Sequence, residues 1–312
     1  TRIPLEDLGE GDVLIRVTHS SVNYKDGLAA TGRAPIARRL PLVGGCCAAG
    51  TVVEPGESGL PADTVVAVVG ATLSEQHNGG YCEYLRVPAA WVVAVPEAFT
   101  SRQAAAIGTA GVTSAMAVVK LEDAGVTPES GPIAVTGASG GAGSLAVALL
   151  AARGYEVTAL TGKPEAEDLL RDLGAANVAP RPDTSGTRPL ERGTWAGAVD
   201  TVGGDTLAWL TRTVAPGGSI AAFGNAGGNR LTTTVLPFIL RGINLLGVTV
   251  TFPAAELRER VWELLASSLS REALDAIATD VDFEDLDDAL RRIVTTGVVG
   301  RQVVRIGGEA AV

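Results

Sequence analysis

Aromatic side chains make up only 4% of this 312-residue sequence, and it holds just 2 histidines and 3 cysteines. Three cysteines (Cys46, Cys47, Cys82) cannot build a paired disulfide framework in so long a chain, so reduced thiols and a cytoplasmic setting are expected. His19 and His77 are isolated, and zinc needs a constellation of His, Cys and acidic ligands, so no metal is expected. Basic residues are outnumbered by acidic ones, 25 to 35, and do not cluster. A surface of that sign repels nucleic-acid backbones and anionic membranes. No apolar run reaches the roughly 18 residues that a membrane span needs, and the opening Thr1-Arg2-Ile3-Pro4 lacks a signal-peptide pattern. Neither nucleic acid nor membrane is expected as a partner.

The composition that remains, 46% hydrophobic with 39 glycines, is that of a globular chain rich in turns. Its length suits two domains or one large α/β unit with a full core. The organising stretch is 133–163. A short apolar run, Ile133-Ala134-Val135, leads into Thr136-Gly137-Ala138-Ser139-Gly140-Gly141-Ala142-Gly143, then a helical run from Ser144 to Arg153 and a second apolar strand from Glu156 to Leu160. Strand, glycine turn, helix and return strand make a βαβ unit. In such a unit one glycine permits the turn, one lets backbone N–H groups approach a pyrophosphate, and one lets helix and strand pack closely. The helix start adds unpaired N–H groups and a positive dipole end. The pattern predicts a dinucleotide seat built on Gly137, Ser139, Gly140, Gly141, Ala142 and Gly143.

Which dinucleotide binds is decided after the return strand. An NAD site places Asp or Glu about 20 residues beyond the glycines to hold the ribose 2′-OH. Here the strand ends Leu160-Thr161-Gly162-Lys163, offering a hydroxyl and a cation. A carboxylate would repel a 2′-phosphate whereas Lys163 would pair with it, with Arg181 as a second partner, so NADPH is expected.

Before this unit, Asp12 to Thr18 alternates as a strand, Asn23-Tyr24-Lys25-Asp26 opens a short helix, Leu42 to Val53 is apolar and glycine-rich, and 64–69 and 84–95 read as strands. Residues 1–97 are therefore mostly β. Further buried parallel strands are expected at 195–200, 218–223 and 243–248, and strand and helix patterns alternate only from about 101 to 273.

Four segments, in order across nearly the whole length, carry a family resemblance: Ser21-Val22-Asn23-Tyr24-Lys25-Asp26, Ile107-Gly108-Thr109-Ala110-Gly111-Val112-Thr113, Val135 through Gly141, and Gly300-Arg301-Gln302-Val303-Val304. The chain resembles a zinc-independent medium-chain dehydrogenase/reductase of the acrylyl-CoA reductase and quinone oxidoreductase branch. The family's usual first strand is missing, so the chain reads as beginning inside the family's pattern. The resemblance implies an α/β fold, a Rossmann-type doubly wound parallel sheet plus a GroES-like, mostly β catalytic domain. The catalytic domain would comprise 1–97 and 275–312, and the NADPH-binding domain 98–274. It also implies a homodimer paired through the last strand of the nucleotide domain, and places Thr109, Thr113, Phe223, Gly224 and Asn225 at the nicotinamide.

Without a metal, an activated C=C is a more natural substrate than an alcohol, with hydride going to the β carbon and a proton to the α carbon. The leading candidates are Tyr24 as proton or hydrogen-bond donor and Asn23 as positioning group. The alternative is that Asn23 caps the helix and Tyr24 packs in the core. Asp26 is expected to orient Lys25 or Arg301. Arg301 belongs to a segment that the family brings back to the cleft, with a structural salt bridge as the alternative. The family pattern Pro-Gly-Ile-Asp reads here Gly44-Gly45-Cys46-Cys47, so Cys47 stands where an acid is expected. The leading function is NADPH-dependent reduction of a 2-enoyl thioester or enone, the small-molecule substrate being CoA- or carrier-bound. The alternatives are a quinone reductase, or a diverged biosynthetic or non-catalytic NADPH-binding protein.

Overall fold

A computed structural model describes residues 2–295 and 297–306. Thr296 and residues 307–312, the end of the segment expected to complete the catalytic domain, lie outside the described residues, as does Thr1.

In chain order the main elements begin with β1 (Val13–Val22), α1 (Tyr24–Ala30), β2 (Cys47–Glu54), β3 (Val65–Val69), β4 (Tyr84–Val87), β5 (Val92–Ala94) and α2 (Ser101–Asp123). Next come β6 (Ile133–Thr136), α3 (Gly141–Ala152), β7 (Val157–Thr161), α4 (Glu167–Asp172), β8 (Asn177–Pro180), β9 (Trp195–Asp200), α5 (Gly204–Thr213), β10 (Val214–Ala222), α6 (Leu236–Arg241) and β11 (Asn244–Gly247). The chain finishes with α7 (Ala255–Ser268), α8 (Arg271–Ile277), β12 (Ala278–Asp282), α9 (Leu286–Ile293) and β13 (Arg301–Arg305). They fall into two compact units. One holds the chain up to Ala110, Val250–Phe252 and the chain from Leu274 onward; the other holds Gly111–Thr249 and Pro253–Ala273. Residues 98–110 thus pack with the β-rich unit, and the division falls inside α2, just after Gly108 breaks its helical path at φ 43°, ψ −153°.

The first unit is a seven-stranded sheet ordered β12-β13-β1-β2-β3-β5, with β4 also on β1. The alternation of β1 and its neighbours buries Val13, Ile15, Val17, Ala48, Val52, Val66, Val68, Leu85 and Val87 on one face. Because β13 pairs antiparallel with β1 in the register Val22↔Gln302, the residue before it, Arg301, is delivered beside Asn23 from the far end of the sequence. Helix α9 seals this end over Val22 and Val304. A Cβ at Gly27 would meet the Leu290 carbonyl at 2.7 Å, so glycine there lets α1 cross α9 closely and fixes the helix that carries Tyr24.

The second unit is a six-stranded parallel sheet ordered β11-β10-β9-β6-β7-β8. This is the doubly wound order, with its switch point between β6 and β9, where such sheets bind ligands beyond the strands' carboxyl ends. Its strands are nearly all apolar, as burial on both faces requires. One expectation about apolar runs needs correction. Helix α2 is long and apolar enough to cross a membrane, but 83% of that window is buried within the protein, so it is a core helix.

Candidate functional site

The nucleotide seat can be built first, wholly within the second unit. Gly137 adopts φ 59° at the end of β6, and a Cβ there would strike Val202 and the Thr201 hydroxyl. At Gly143 a Cβ would lie 2.7 Å from the Ala138 Cα, so glycine allows α3 to start against the turn. Gly140 is the N-cap of α3 and Gly141 its first residue, which leaves the N–H groups of Gly141, Ala142 and Gly143 at the helix mouth. Ser139 and Thr161 are both buried, and the Thr161 hydroxyl donates to Ser139 Oγ at 2.7 Å while accepting from the Lys163 N–H at 3.1 Å. Thr161 therefore braces the turn and leaves the Ser139 hydrogen for an anion.

At the end of β7 two cations converge. The Arg181 guanidinium covers Gly162 so closely that a Cβ there would collide with it. Burial first, and then the nearby Arg181, lowers the Lys163 ammonium from its ordinary value, with Glu165 opposing. Two like charges held together in this way lose that penalty when a dianion sits between them. The donor set fits a 2′-phosphate.

A buried carboxylate organises the switch point, and the sequence reading missed it. Asp200, at the end of β9, accepts from Thr136 Oγ1 at 2.7 Å, Gly203 N–H at 2.8 Å and Val202 N–H at 3.4 Å. Thr201 Oγ1 donates to the Thr136 carbonyl at 2.8 Å. Phe223 and Gly224 N–H groups close onto the Asp200 carbonyl, and Gly224 lies flat against the Thr201 backbone, so Phe223-Gly224-Asn225 belongs to the same set of loops. Burial pushes the Asp200 carboxyl up despite these donors. A charged residue ending an apolar parallel strand was the signal that could have found it. Thr113 is buried on α2 in this unit, and the adjacent Ser114 donates to the Ala142 carbonyl at 2.8 Å.

The first unit holds the other candidates. Arg301 is 4% exposed and has no carboxylate within ion-pair distance among the described residues. Its donors go instead to neutral acceptors: Nε to Ala106 O at 2.8 Å, Nη1 to Val22 O at 3.2 Å and Asn23 Oδ1 at 3.1 Å, Nη2 to Ser21 Oγ at 2.6 Å. The salt-bridge alternative is thereby corrected. With Arg301 donating to it, the Ser21 hydroxyl keeps its hydrogen for Cys47 Sγ at 3.0 Å. Asn23 Nδ2 stands 3.8 Å from the same sulfur.

Asp26 is buried and accepts from Asn23 N–H and Asn23 Nδ2, both at 3.1 Å, from Cys46 N–H at 3.0 Å and from the Cys46 thiol at 3.4 Å. Burial raises its carboxyl above the ordinary range, opposed by the Asn23 and Cys46 donors. It orients neither Lys25 nor Arg301 directly, another correction. Lys25 reaches Glu75 at 2.8 Å instead, because Asp26 points inward toward the β2 end, and Asp26 acts on Arg301 only through Asn23. Asn23 is the N-cap of α1, but its side chain bridges Asp26 and Arg301. Thr109 donates to Cys46 O at 3.2 Å. Tyr81, absent from the sequence reading, donates to Ser21 O at 3.3 Å. Tyr24 opens α1 half-buried, and its hydroxyl has no hydrogen-bond partner among the described residues. No cluster of three His, Cys, Asp or Glu suited to a metal exists among the described residues. Zinc does not fit this donor set.

A GroES-like sheet and a doubly wound dinucleotide unit in one chain define an oxidoreductase architecture, and two family profiles coincide with them. Residues 9–97 match the alcohol dehydrogenase GroES-like domain, and residues 141–267 match the zinc-binding dehydrogenase domain. The chain belongs to the medium-chain dehydrogenase/reductase family. It is 43% identical to the acrylyl-CoA reductase AcuI of Ruegeria pomeroyi over 98% of this chain and 93% of that one. YhfP of Bacillus subtilis, named as a quinone oxidoreductase, is 41% identical over 97% of this chain and 93% of its own length. The structure of Escherichia coli K-12 YhdH with bound NADPH is similar with TM-score 0.95 and 41% identity, covering 98% of this chain and 95% of that chain. YhfP with bound NAD gives TM-score 0.91.

Proposed function

We propose that this chain is an NADPH-dependent reductase of an activated carbon–carbon double bond, its substrate a 2-enoyl thioester of the acrylyl-CoA kind. The observation that carries the cofactor choice is the Lys163 and Arg181 pair at the end of β7, where an acid would select NAD. YhdH carries NADPH and YhfP NAD, so the relatives alone leave both open, and the cation pair decides. NADPH, when bound, supplies a hydride to the β carbon. Ser139 and the first N–H groups of α3 hold the pyrophosphate, Lys163 and Arg181 the 2′-phosphate, and Thr109, Thr113 and the Phe223-Gly224-Asn225 turn face the nicotinamide. Tyr24 is the catalytic residue, its unpartnered hydroxyl stabilising the enolate and delivering the α proton. Asn23, Asp26, Arg301 and Cys47 act as positioning groups that hold the start of α1.

By function the catalytic domain comprises 1–97 with 275–312 and the NADPH-binding domain 98–274, the 98–110 segment packing with the β-rich unit although it leads into the dinucleotide unit. The protein works in the cytoplasm, as its acidic composition and free cysteines suit. Fractionation tests the location, and recovery with the membrane pellet would refute it. It forms a homodimer through the edge strand β11, a reading supported by Val235, Ile239 and Leu240, each more than 60% exposed beside it. Sedimentation showing only monomer at every concentration would refute that interface.

The test of function is NADPH consumption with acrylyl-CoA, crotonyl-CoA and a benzoquinone panel. Turnover of the enoyl thioesters above the quinones is expected. Quinone turnover alone would establish the second reading, which YhfP's name favours. Tight NADPH binding without any turnover would leave a non-catalytic protein.

A further inference from the structure

The chain as a whole is acidic, at −10, yet between Asp26 and Glu54 it contains no acid at all. Within that stretch the loop after α1 carries Arg33, Arg38 and Arg39, followed by Leu40, which is 82% exposed. Arg33 is committed to structure, its guanidinium donating to Val294 O at 2.7 Å. Arg38 and Arg39 are exposed, and among the described residues neither side chain has a hydrogen-bond or ion-pair partner. The backbone behind them is fixed: the Arg38 N–H donates to Glu75 O at 2.7 Å. The Glu75 carboxylate is already taken by Lys25, next to Tyr24. One residue, Glu75, therefore pins both the start of α1 and the arginine loop. The Arg38 backbone is thus linked through Glu75 and Lys25 to the start of α1, where Tyr24 stands.

We infer that Arg38 and Arg39 form a phosphate-binding subsite for the 3′-phospho-ADP end of a CoA thioester, with Leu40 as an apolar platform for its adenine. The inference rests on the proposed reduction of enoyl thioesters at Tyr24. Guanidiniums match phosphate oxygens in charge and geometry. In this arrangement the flexible pantetheine arm joins the thioester held at Tyr24 to the nucleotide held at the loop. An isolated arginine pair on a neutral protein would be an ordinary solvated face. In a chain with ten more acids than bases, two arginines side by side whose guanidiniums pair with no acid among the described residues, in a stretch without acids, give a local positive field that draws polyanions.

The experiment compares crotonyl-CoA with crotonyl-N-acetylcysteamine, which keeps the thioester and lacks the nucleotide. Arg38→Ala/Arg39→Ala is expected to raise the KM for crotonyl-CoA roughly 10- to 100-fold with kcat within about twofold. The KM for the truncated thioester is expected to move less than about twofold. In the wild type the crotonyl-CoA KM should rise with salt, and in the double variant it should be flat. Arg38→Lys/Arg39→Lys should restore most of the loss. An unchanged crotonyl-CoA KM, or equal losses on both substrates, overturns the inference. Calorimetric binding of CoA itself separates this from the reaction assignment. CoA binding that weakens in the double variant upholds the subsite even if no thioester is reduced, and wild type that turns over thioesters yet shows no nucleotide-dependent affinity refutes the subsite alone.

Discussion

Replacing Cys47 by aspartate puts an acid beside a buried cation that has none. Cys47 opens β2 opposite Val69, is 1% exposed, and touches Ser21 Oγ at 3.0 Å, the oxygen that receives Arg301 Nη2 at 2.6 Å. Burial lowers the Arg301 guanidinium from its ordinary value. A buried carboxylate without partners is strongly unfavourable, but the structure supplies both a cation and a hydroxyl donor at this position. An ion pair about 4–5 Å apart is worth roughly 3–4 kcal/mol at an effective dielectric of about 20. Desolvating the new carboxylate offsets part of this, as does repulsion from Asp26, itself already raised by burial. A net gain of about 1–3 kcal/mol remains, since breaking buried pairs of this kind costs about 3–5 kcal/mol.

The assay is thermal unfolding of Cys47→Asp beside Cys47→Asn, which has the same shape and no charge. The aspartate variant should melt higher by roughly 2–4 °C per kcal/mol. Arg301→Met should abolish the difference, because the gain is a coupling between the two sites. Turnover of short enoyl-CoA should rise with it, while NADPH affinity stays the same because the glycine turn is untouched. A Cys47→Asp protein no more stable than Cys47→Asn, or a gain that survives in the Arg301→Met background, would refute the pairing.

Lys163→Ala should reduce the preference for NADPH over NADH by roughly ten- to a hundredfold, mainly through KM, and equal wild-type affinities for the two cofactors would sink the 2′-phosphate assignment. Tyr24→Phe should slow reduction by about 10²–10⁴ with cofactor binding intact, while unchanged turnover would make water the proton source. Asp26 gives a pH test. Its folded-state value is raised above the ordinary 3.8, so it adds stability that is fully present below 3.8 and lost as pH rises through the raised value. The melting temperature of the wild type relative to Asp26→Asn should therefore fall as pH rises across the acid range and then level off, and a difference that grows with pH would contradict burial as the ruling cause.

The parts of the fold readable in the sequence were those written in local periodicity and turn chemistry. The glycine turn, the return strand and the strand at 195–200 all stand where spacing puts them, because a parallel strand buried on both faces is apolar throughout and a phosphate turn needs glycine at fixed offsets. The side-chain partners were not legible, since each joins segments far apart in sequence. Arg301 meets Asn23 only because β13 pairs with β1, and Lys25 finds Glu75 rather than its neighbour Asp26 because α1 turns the two side chains in different directions. Adjacent residues on a helix start do not face each other, so sequence proximity favoured the wrong pair.

The same reasoning explains why the two buried carboxylates serve opposite ends of the protein's chemistry without being catalytic themselves. The Asp200 carboxylate gathers Thr136, Val202 and Gly203 at the carboxyl ends of β6 and β9, while its backbone carbonyl receives the Phe223 and Gly224 N–H groups that follow β10. Asp26 gathers Asn23 and Cys46, the ends of β1 and β2. Each is raised by burial and surrounded by donors, a combination that a general acid or base could share. What separates them from such a role is that their oxygens are already engaged by fixed backbone N–H and side-chain donors within the fold, so neither is free to turn toward a reacting atom. Among the described residues of the first unit's candidate cluster the Tyr24 hydroxyl keeps an uncommitted donor, and the arrangement of Asn23, Asp26 and Arg301 fixes the start of α1 that carries it.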